Sequence, residues 1–258
     1  MSIFPVYIVG AGPGDPDLIT VKGRKLLEQA DVVIYADSLI PPEMLDCCRA
    51  DAEIIPTADR TLEQIMAVML ERVRSNLLVV RLHDGDPSLY GAIHEQITAL
   101  VEAEIAFEII PGVSAFQLAA ARLQVELTIP ELVQTIILTR ISGRTQVPEP
   151  EDLASLAAHQ ASLCLYLSAR HVEAAQAKLM QHYAADTPVA ICFRLGWKDE
   201  QIFVVPLAEM AATTQKQGLV RTTLYLISPA LNRPNSLLGK ARSKLYDPDH
   251  DRLFRPKP

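Results

Sequence analysis

Apolar residues in the first part of the chain come as short continuous runs, each closed by Gly, Pro or Asp. Phe4–Val9, Val32–Ala36, Ile54–Ile55, Leu77–Leu82 and Ala106–Ile110 are of this kind and predict strands, the nearly continuous Leu77–Leu82 run reading as one buried on both faces of a parallel sheet. Between them the apolar spacing turns helical: Leu18, Val21, Leu26, Leu27 and Ala30 in one stretch, Ala92, Ile93, Ile97 and Leu100 in another. Thr61-Leu-Glu-Gln64 has the form of a capping box and opens a helix expected to run to about Arg74. Strand and helix alternate throughout, which predicts a parallel α/β domain over residues 1–112.

A second phase begins at Ser114. Ser114-Ala-Phe-Gln117 repeats the capping-box pattern ahead of an Ala-rich helix at 115–123. Strands are predicted at 134–139, 162–167, 189–193, 201–205 and 222–227, with helices at 153–158, 172–181 and 207–216. The strands flanking Gly196-Trp-Lys-Asp199 read as a hairpin, so the second sheet should be mixed. The expected fold is therefore α/β, with a parallel-sheet N-terminal domain (1–112), a mixed-sheet C-terminal domain (113–231), and a ligand cleft between them. Residues 232–258 carry seven Lys or Arg against three Asp, show neither period, and read as a basic tail.

Composition narrows the classes. Hydrophobic residues make up 49% of the chain, ample for two cores, yet no apolar run nears the roughly 20 residues of a membrane span. The N-terminus lacks the pattern of a signal peptide. Cys47, Cys48, Cys164 and Cys192 form no C-x-x-C pair and no disulfide framework. A cytoplasmic protein without a membrane partner is expected. The net charge of −7 also disfavours nucleic acid as a partner.

Candidate chemistry gathers where strands end. Asp84-Gly85-Asp86-Pro87 follows an apolar run and precedes a helix, which puts it at the carboxyl edge of the sheet, where open α/β folds bind ligands; it is also ordinary turn chemistry. Gly10-Ala-Gly-Pro-Gly-Asp15 resembles a dinucleotide loop but breaks its spacing. Asp15 stands where the third Gly belongs, and Pro13 offers no amide to a phosphate. Asp15 and Asp17 would repel a pyrophosphate, so the loop suits a ligand without phosphates and tolerates a cationic one. Asp37 closes the second strand, as a ligand group or as an N-cap before Pro41-Pro42. His83-x-x-Asp86 is too weak a pattern to expect a metal. Arg140, Arg144, Arg170, Arg194 and Arg221 all flank strands. Arginine grips carboxylates at two points, so the group suggests a substrate rich in carboxylates. No Ser-His-Asp order, phosphate-binding P-loop or zinc spacing is present, and a side-chain nucleophile is not required.

Several stretches taken together resemble the tetrapyrrole (corrin/porphyrin) methyltransferase family. They are Val9-Gly-Ala-Gly-Pro-Gly-Asp15 with Leu18-Ile-Thr20, Tyr35-Ala-Asp-Ser-Leu39, Gly85-Asp-Pro-Ser-Leu-Tyr-Gly91 and Ile110-Pro-Gly-Val-Ser-Ala115. Leu165-Tyr-Leu167, Pro188-Val-Ala-Ile191 and Thr222-Thr-Leu-Tyr-Leu226 extend the match over about nine-tenths of the chain. Arg81-Leu-His83, Leu138–Thr145 with Val147-Pro-Glu149, and Ser168-Ala-Arg-His171 resemble the branch that methylates C11 of a corrin precursor in cobalamin biosynthesis. Gln146, Asp84 and Leu195-Gly196 depart from that branch. The resemblance implies a homodimeric enzyme with S-adenosylmethionine folded between its two domains and a tetrapyrrole as small-molecule substrate. By motif, the cofactor would meet Pro13, Asp84, Gly85, Asp86, Leu89, Ser114, Ala115, Leu167, Leu195 and Thr223. Arg140 and Arg144 would hold substrate carboxylates, and Asp37 would orient or accept a pyrrole N–H. A same-fold methyltransferase acting on another corrin precursor, a protein or ribosomal RNA is the alternative.

Overall fold

The computed structural model describes residues 4–232, so the expected basic tail lies, past Asn232, outside the described residues. The apolar runs of the first half pair side by side. β1 (Val6–Gly10), β2 (Val32–Tyr35), β3 (Glu53–Pro56), β4 (Val79–His83) and β5 (Phe107–Ile110) form an all-parallel sheet in the order β3-β2-β4-β1-β5. Side chains alternate across it. Val6, Ile8, Val32, Ile34 and Val79 pack with Ile65, Met66, Met69 and Val73 of α2 (Leu62–Arg74) and Leu100 of α3 (Ile93–Glu102). Val9, Val33, Val80 and Leu82 pack on the opposite face with Leu27 of α1 (Val21–Gln29). Leu27 and Met69 are wholly buried, each worth about 1.5–3 kcal/mol relative to exposure.

The capping box holds as read. Thr61 N–H donates to Gln64 Oε1 at 2.9 Å and Gln64 N–H to Thr61 Oγ1 at 3.4 Å. The chain leaves β1 toward β2 on one side and leaves β4 toward β5 on the other. The two neighbours thus mark the point where the winding reverses, and the loops that follow them flank a crevice.

After α4 (Ala115–Leu123), five strands build the second sheet: β6 (Ile136–Arg140), β7 (Ser162–Tyr166), β8 (Pro188–Phe193), β9 (Gln201–Pro206) and β10 (Thr223–Ile227). Their order is β6-β7-β10-β8-β9; β6 and β7 run parallel and every other pair antiparallel. The sheet is mixed because β8 and β9 form the predicted hairpin. α5 (Leu153–Ala157), α6 (Val172–Leu179) and α7 (Met210–Lys216) bury Leu153, Ala175, Leu179 and Met210 against Leu163, Leu165, Ile191 and Tyr225.

Two compact units result. One contains the chain up to Leu118 together with Arg194–Glu200; the other contains Ala119–Phe193 and the chain from Gln201. The β8–β9 turn belongs to the first unit because it packs on the loop after β1. A Cβ on Gly14 would lie 2.6 Å from Trp197 Cδ1, and one on Gly196 2.6 Å from the Asp15 amide nitrogen. Gly196 also has φ +79°, a conformation that side chains disfavour. Lys198 pairs with Glu43, and Arg194 stacks 4.0 Å over the Trp197 ring while bonding Asp199 at 2.6 Å. Among the described residues no helix is long and apolar enough to cross a membrane.

Candidate functional site

Three loops, following β1, β4 and β5, interlock through glycines. A Cβ on Gly10 would sit 2.7 Å from both Gly112 Cα and Gly85 O, and one on Gly112 only 2.1 Å from Gly85 O. No other residue fits at either point. Gly12 N–H donates to Gly85 O at 3.2 Å, and Gly85 N–H to Gly12 O at 2.8 Å. Those two amides satisfy each other, and Pro13 has none, so the loop is not the ring of free donors that cradles phosphate. Gly85 has φ +58°, and a Cβ on it would meet no atom within 4 Å, so that side of the loop is open. The wall beside Gly85 is thus open, glycine-lined and edged by carboxylates, with its Gly12 and Gly85 amides already paired.

The carboxylates differ in what they are free to do. Asp86 Oδ1 accepts from Ser88 N–H at 2.9 Å and from the Ser88 hydroxyl; Oδ2 accepts from Gly112 N–H at 2.9 Å. Burial pushes its pKa up, but these bonds together outweigh it and hold the carboxyl below its ordinary value. Asp86 therefore ties the β4 loop to the β5 loop. Asp84 is exposed along its side chain, yet desolvation by the surrounding protein raises its pKa, against its own backbone N–H and Arg81. Leu89 N–H closes the turn onto Asp86 O at 3.1 Å. Asp37 Oδ1 accepts from Thr57 N–H at 3.0 Å and Ala58 N–H at 2.8 Å, fastening the end of β2 to the loop after β3. It does not cap the turn at Pro41-Pro42, where Pro41 itself is the N-cap.

Pro13, half-buried, and Leu195, buried, stand on the two segments that meet at Gly14. Ser114 is buried before Ala115 opens α4; its N–H donates to Gln117 Oε1 at 2.8 Å, the Gln half of the expected capping box. Beneath the β4 loop lies a polar layer. Arg81 and His83 alternate on β4 toward α3, and Arg81 donates to Gln96 Oε1 and Ile34 O, both at 3.2 Å. Gln96 donates to Ala92 O at 3.1 Å, bracing a residue held at φ +48°. Burial lowers Arg81 to about 10. Burial, then Arg81, lowers His83 to about 3, with Gln96 acting the other way. Buried His83 Nε2 has no hydrogen-bond partner among the described residues. Gln96 escaped the sequence reading, although a polar residue between Ile93 and Leu100 on a buried helix stripe was the available signal.

In the second unit the predicted arginines fall at one sheet edge. Arg140 ends β6, and Arg170 follows β7, its parallel neighbour. The pairing Tyr225↔Leu165 brings Thr223 and Leu167, with Arg221, to that same edge. Leu167 is 58% exposed at φ +52°, an uncommon conformation for a leucine. Thr223 is buried and donates to Arg221 O at 3.0 Å. Among the described residues Arg140 reaches only the carbonyls of Ile141 and Thr145, each at 3.5 Å. Arg144 is exposed on the same loop. Ser168, wholly buried, donates to Tyr166 O at 2.6 Å and accepts from Ile141 N–H at 3.3 Å, while His171 N–H donates to Ser168 O at 2.9 Å. Ser168 thus fixes His171 beside the Arg140–Arg144 loop. Arg194 follows β8, whose Phe193 pairs with Thr223 at that edge, and it is engaged by Asp199 at 2.6 Å.

Residues 5–211 match the family model for Tetrapyrrole (Corrin/Porphyrin) Methylases. The chain belongs to the tetrapyrrole methylases. Among this methylase's relatives, cobalt-precorrin-4 C(11)-methyltransferase of Methanocaldococcus jannaschii is 45% identical, over 97% of this chain and 95% of that one. Precorrin-4 C(11)-methyltransferase of Pseudomonas aeruginosa is 44% identical, over 97% and 98%. The X-ray structure of a cobalamin biosynthetic enzyme, cobalt precorrin-4 methyltransferase, superimposes with TM-score 0.85 at 43% identity, over 88% of this chain and 96% of that one. Uroporphyrin-III C-methyltransferase from Thermus thermophilus, solved with S-adenosylhomocysteine, superimposes with TM-score 0.74 at 26% identity, over 88% and 99%.

Proposed function

We propose that this tetrapyrrole methylase transfers a methyl group from S-adenosylmethionine to C11 of precorrin-4 or cobalt-precorrin-4, as a homodimeric cytoplasmic enzyme of cobalamin biosynthesis. The observation that carries the cofactor reading is the glycine-interlocked wall open beside Gly85. The names of the relatives support the substrate and the ring position.

The cofactor, when bound, supplies a methyl group already activated on a sulfonium sulfur. By motif, Pro13, Asp84, Gly85, Asp86, Leu89, Ser114, Ala115, Leu167, Leu195 and Thr223 are the residues that would hold it. Asp86 keeps the wall in shape through Gly112 and Ser88, while the acidic loop accommodates positive charge. Arg140 and Arg144 anchor substrate carboxylates. Asp37, whose Oδ1 is engaged by two amides, presents Oδ2 to a pyrrole N–H. No covalent enzyme intermediate is needed, because an electron-rich ring carbon attacks directly. Rate then derives from alignment at a near-attack distance of about 3–3.5 Å.

The test is turnover with methyl-labelled cofactor and precorrin-4 or cobalt-precorrin-4 offered side by side. Label at C11 of the tetrapyrrole is expected. Label at another ring carbon would overturn the position and keep the class; label in protein or RNA alone would overturn both.

A further inference from the structure

The loop after β6 and the turn after β7 converge on one residue without a side chain. A Cβ on Gly143 would lie 3.1 Å from His171 Nε2 and 4.0 Å from Arg140 Nη2. Gly143 is not in the left-handed region, so its backbone conformation does not call for glycine. What the missing side chain permits is the close seating of the His171 imidazole against the loop, next to the Arg140 guanidinium. We infer that Arg140, His171 and Gly143 form a single subsite for one carboxylate of the substrate, the glycine letting the imidazole seat against the loop that follows the guanidinium. The inference rests on the tetrapyrrole reading above and adds two residues to it.

The charges agree. Among the described residues Arg140 meets only two carbonyl oxygens, at the outer limit of hydrogen bonding, and carbonyls do not neutralise a guanidinium. Among the described residues no carboxylate pairs with Arg140, Arg144, Arg170 or His171, whereas Arg24, Arg49, Arg72 and Arg194 all have acidic partners. In an acidic protein, arginines left without internal counter-charge suit an anion from outside. The site is also built. Ser168 locks the His171 turn to Ile141, and Ser142 Oγ accepts from Val147 N–H at 3.0 Å across the neck of the Gly143 loop. His171 Nε2 and Arg140 Nη2 both border Gly143, so one planar carboxylate can take a bond from each.

The test compares Gly143→Ala, His171→Leu, the double variant and His171→Gln with wild type, measuring kcat and KM for cobalt-precorrin-4, S-adenosylhomocysteine affinity and Tm. Each of the first two should raise KM about tenfold or more, as expected for a lost charge-assisted contact, with cofactor affinity and Tm held. His171→Gln, which keeps an N–H, should recover part of the loss. The double variant should be little worse than either single one, because groups serving one ligand are not additive. KM within twofold of wild type, fully additive effects, or cofactor affinity and Tm falling together with KM would each overturn the subsite while leaving the proposed activity standing. Wild-type protein that turns over neither precorrin would overturn the activity, and the subsite with it.

Discussion

His83 sets the clearest expectation for a single residue. Its ordinary value is 6.5 and burial, then Arg81, lowers it to about 3 in the folded protein. Between those values the unfolded chain takes up a proton that the folded chain refuses, so stability is lost as pH falls through that window. The slope approaches about 1.4 kcal/mol per pH unit once the unfolded imidazole is fully charged. Urea denaturation at pH 7.5 and pH 5 should therefore cost wild type more stability than His83→Gln, whose amide does not titrate. Equal losses in both would mean that His83 is solvated. At this scale the sequence told which residues were chemical and not what they were doing. Asp37 and Asp86 stood out at strand ends, but their bonds to Thr57, Ala58 and Gly112 join segments whose adjacency no local pattern records. Both residues therefore combine a fastening role with any ligand role.

Elements were far more legible. The runs at Val32 and Leu77 became buried parallel strands because they are mostly apolar, while the Ala106 run, with Glu108 in it, became a partly buried edge strand, and Thr61-Leu-Glu-Gln64 capped its helix because both partners lie within one turn. The β8–β9 turn was readable as a hairpin and no further. Its packing on Gly14 depends on the absence of two Cβ atoms, which a sequence registers only as two more glycines. Two substitutions separate the causes. Gly196→Ala must both adopt φ +79° and displace the Asp15 amide; Gly218→Ala must adopt φ +65° with nothing within 4 Å. Gly218→Ala should cost roughly 1 kcal/mol for conformation alone. Gly196→Ala should cost about 1–3 kcal/mol more for overpacking, and should speed proteolysis at the Gly10–Asp15 loop. Similar losses in chemical denaturation would show that the close approach at Asp15 relaxes freely.

For the whole molecule the ligand reading makes a thermodynamic claim. S-adenosylhomocysteine binding only the folded protein should stabilise it by about 2.7 kcal/mol at one hundred times Kd, seen as a rise in Tm, whereas NAD should leave Tm unchanged. Equal shifts with both would refute the phosphate-free reading of the Gly10–Asp15 loop. The α/β class and the mixed second sheet were both plain from the order of patterns. The return of Arg194–Glu200 to the first unit was not, since it is set by packing between residues far apart in the chain. That return has a consequence on the ribosome. Synthesis proceeds from the N-terminus, and domains ordinarily fold as they emerge. Here the five strands of the first sheet are all present once Ile110 has been made, but Trp197 and Leu195, which cover Gly14, are still some eighty residues from translation. The nascent first unit must wait, with its Gly10–Asp15 loop uncovered, until much of the second has been synthesised.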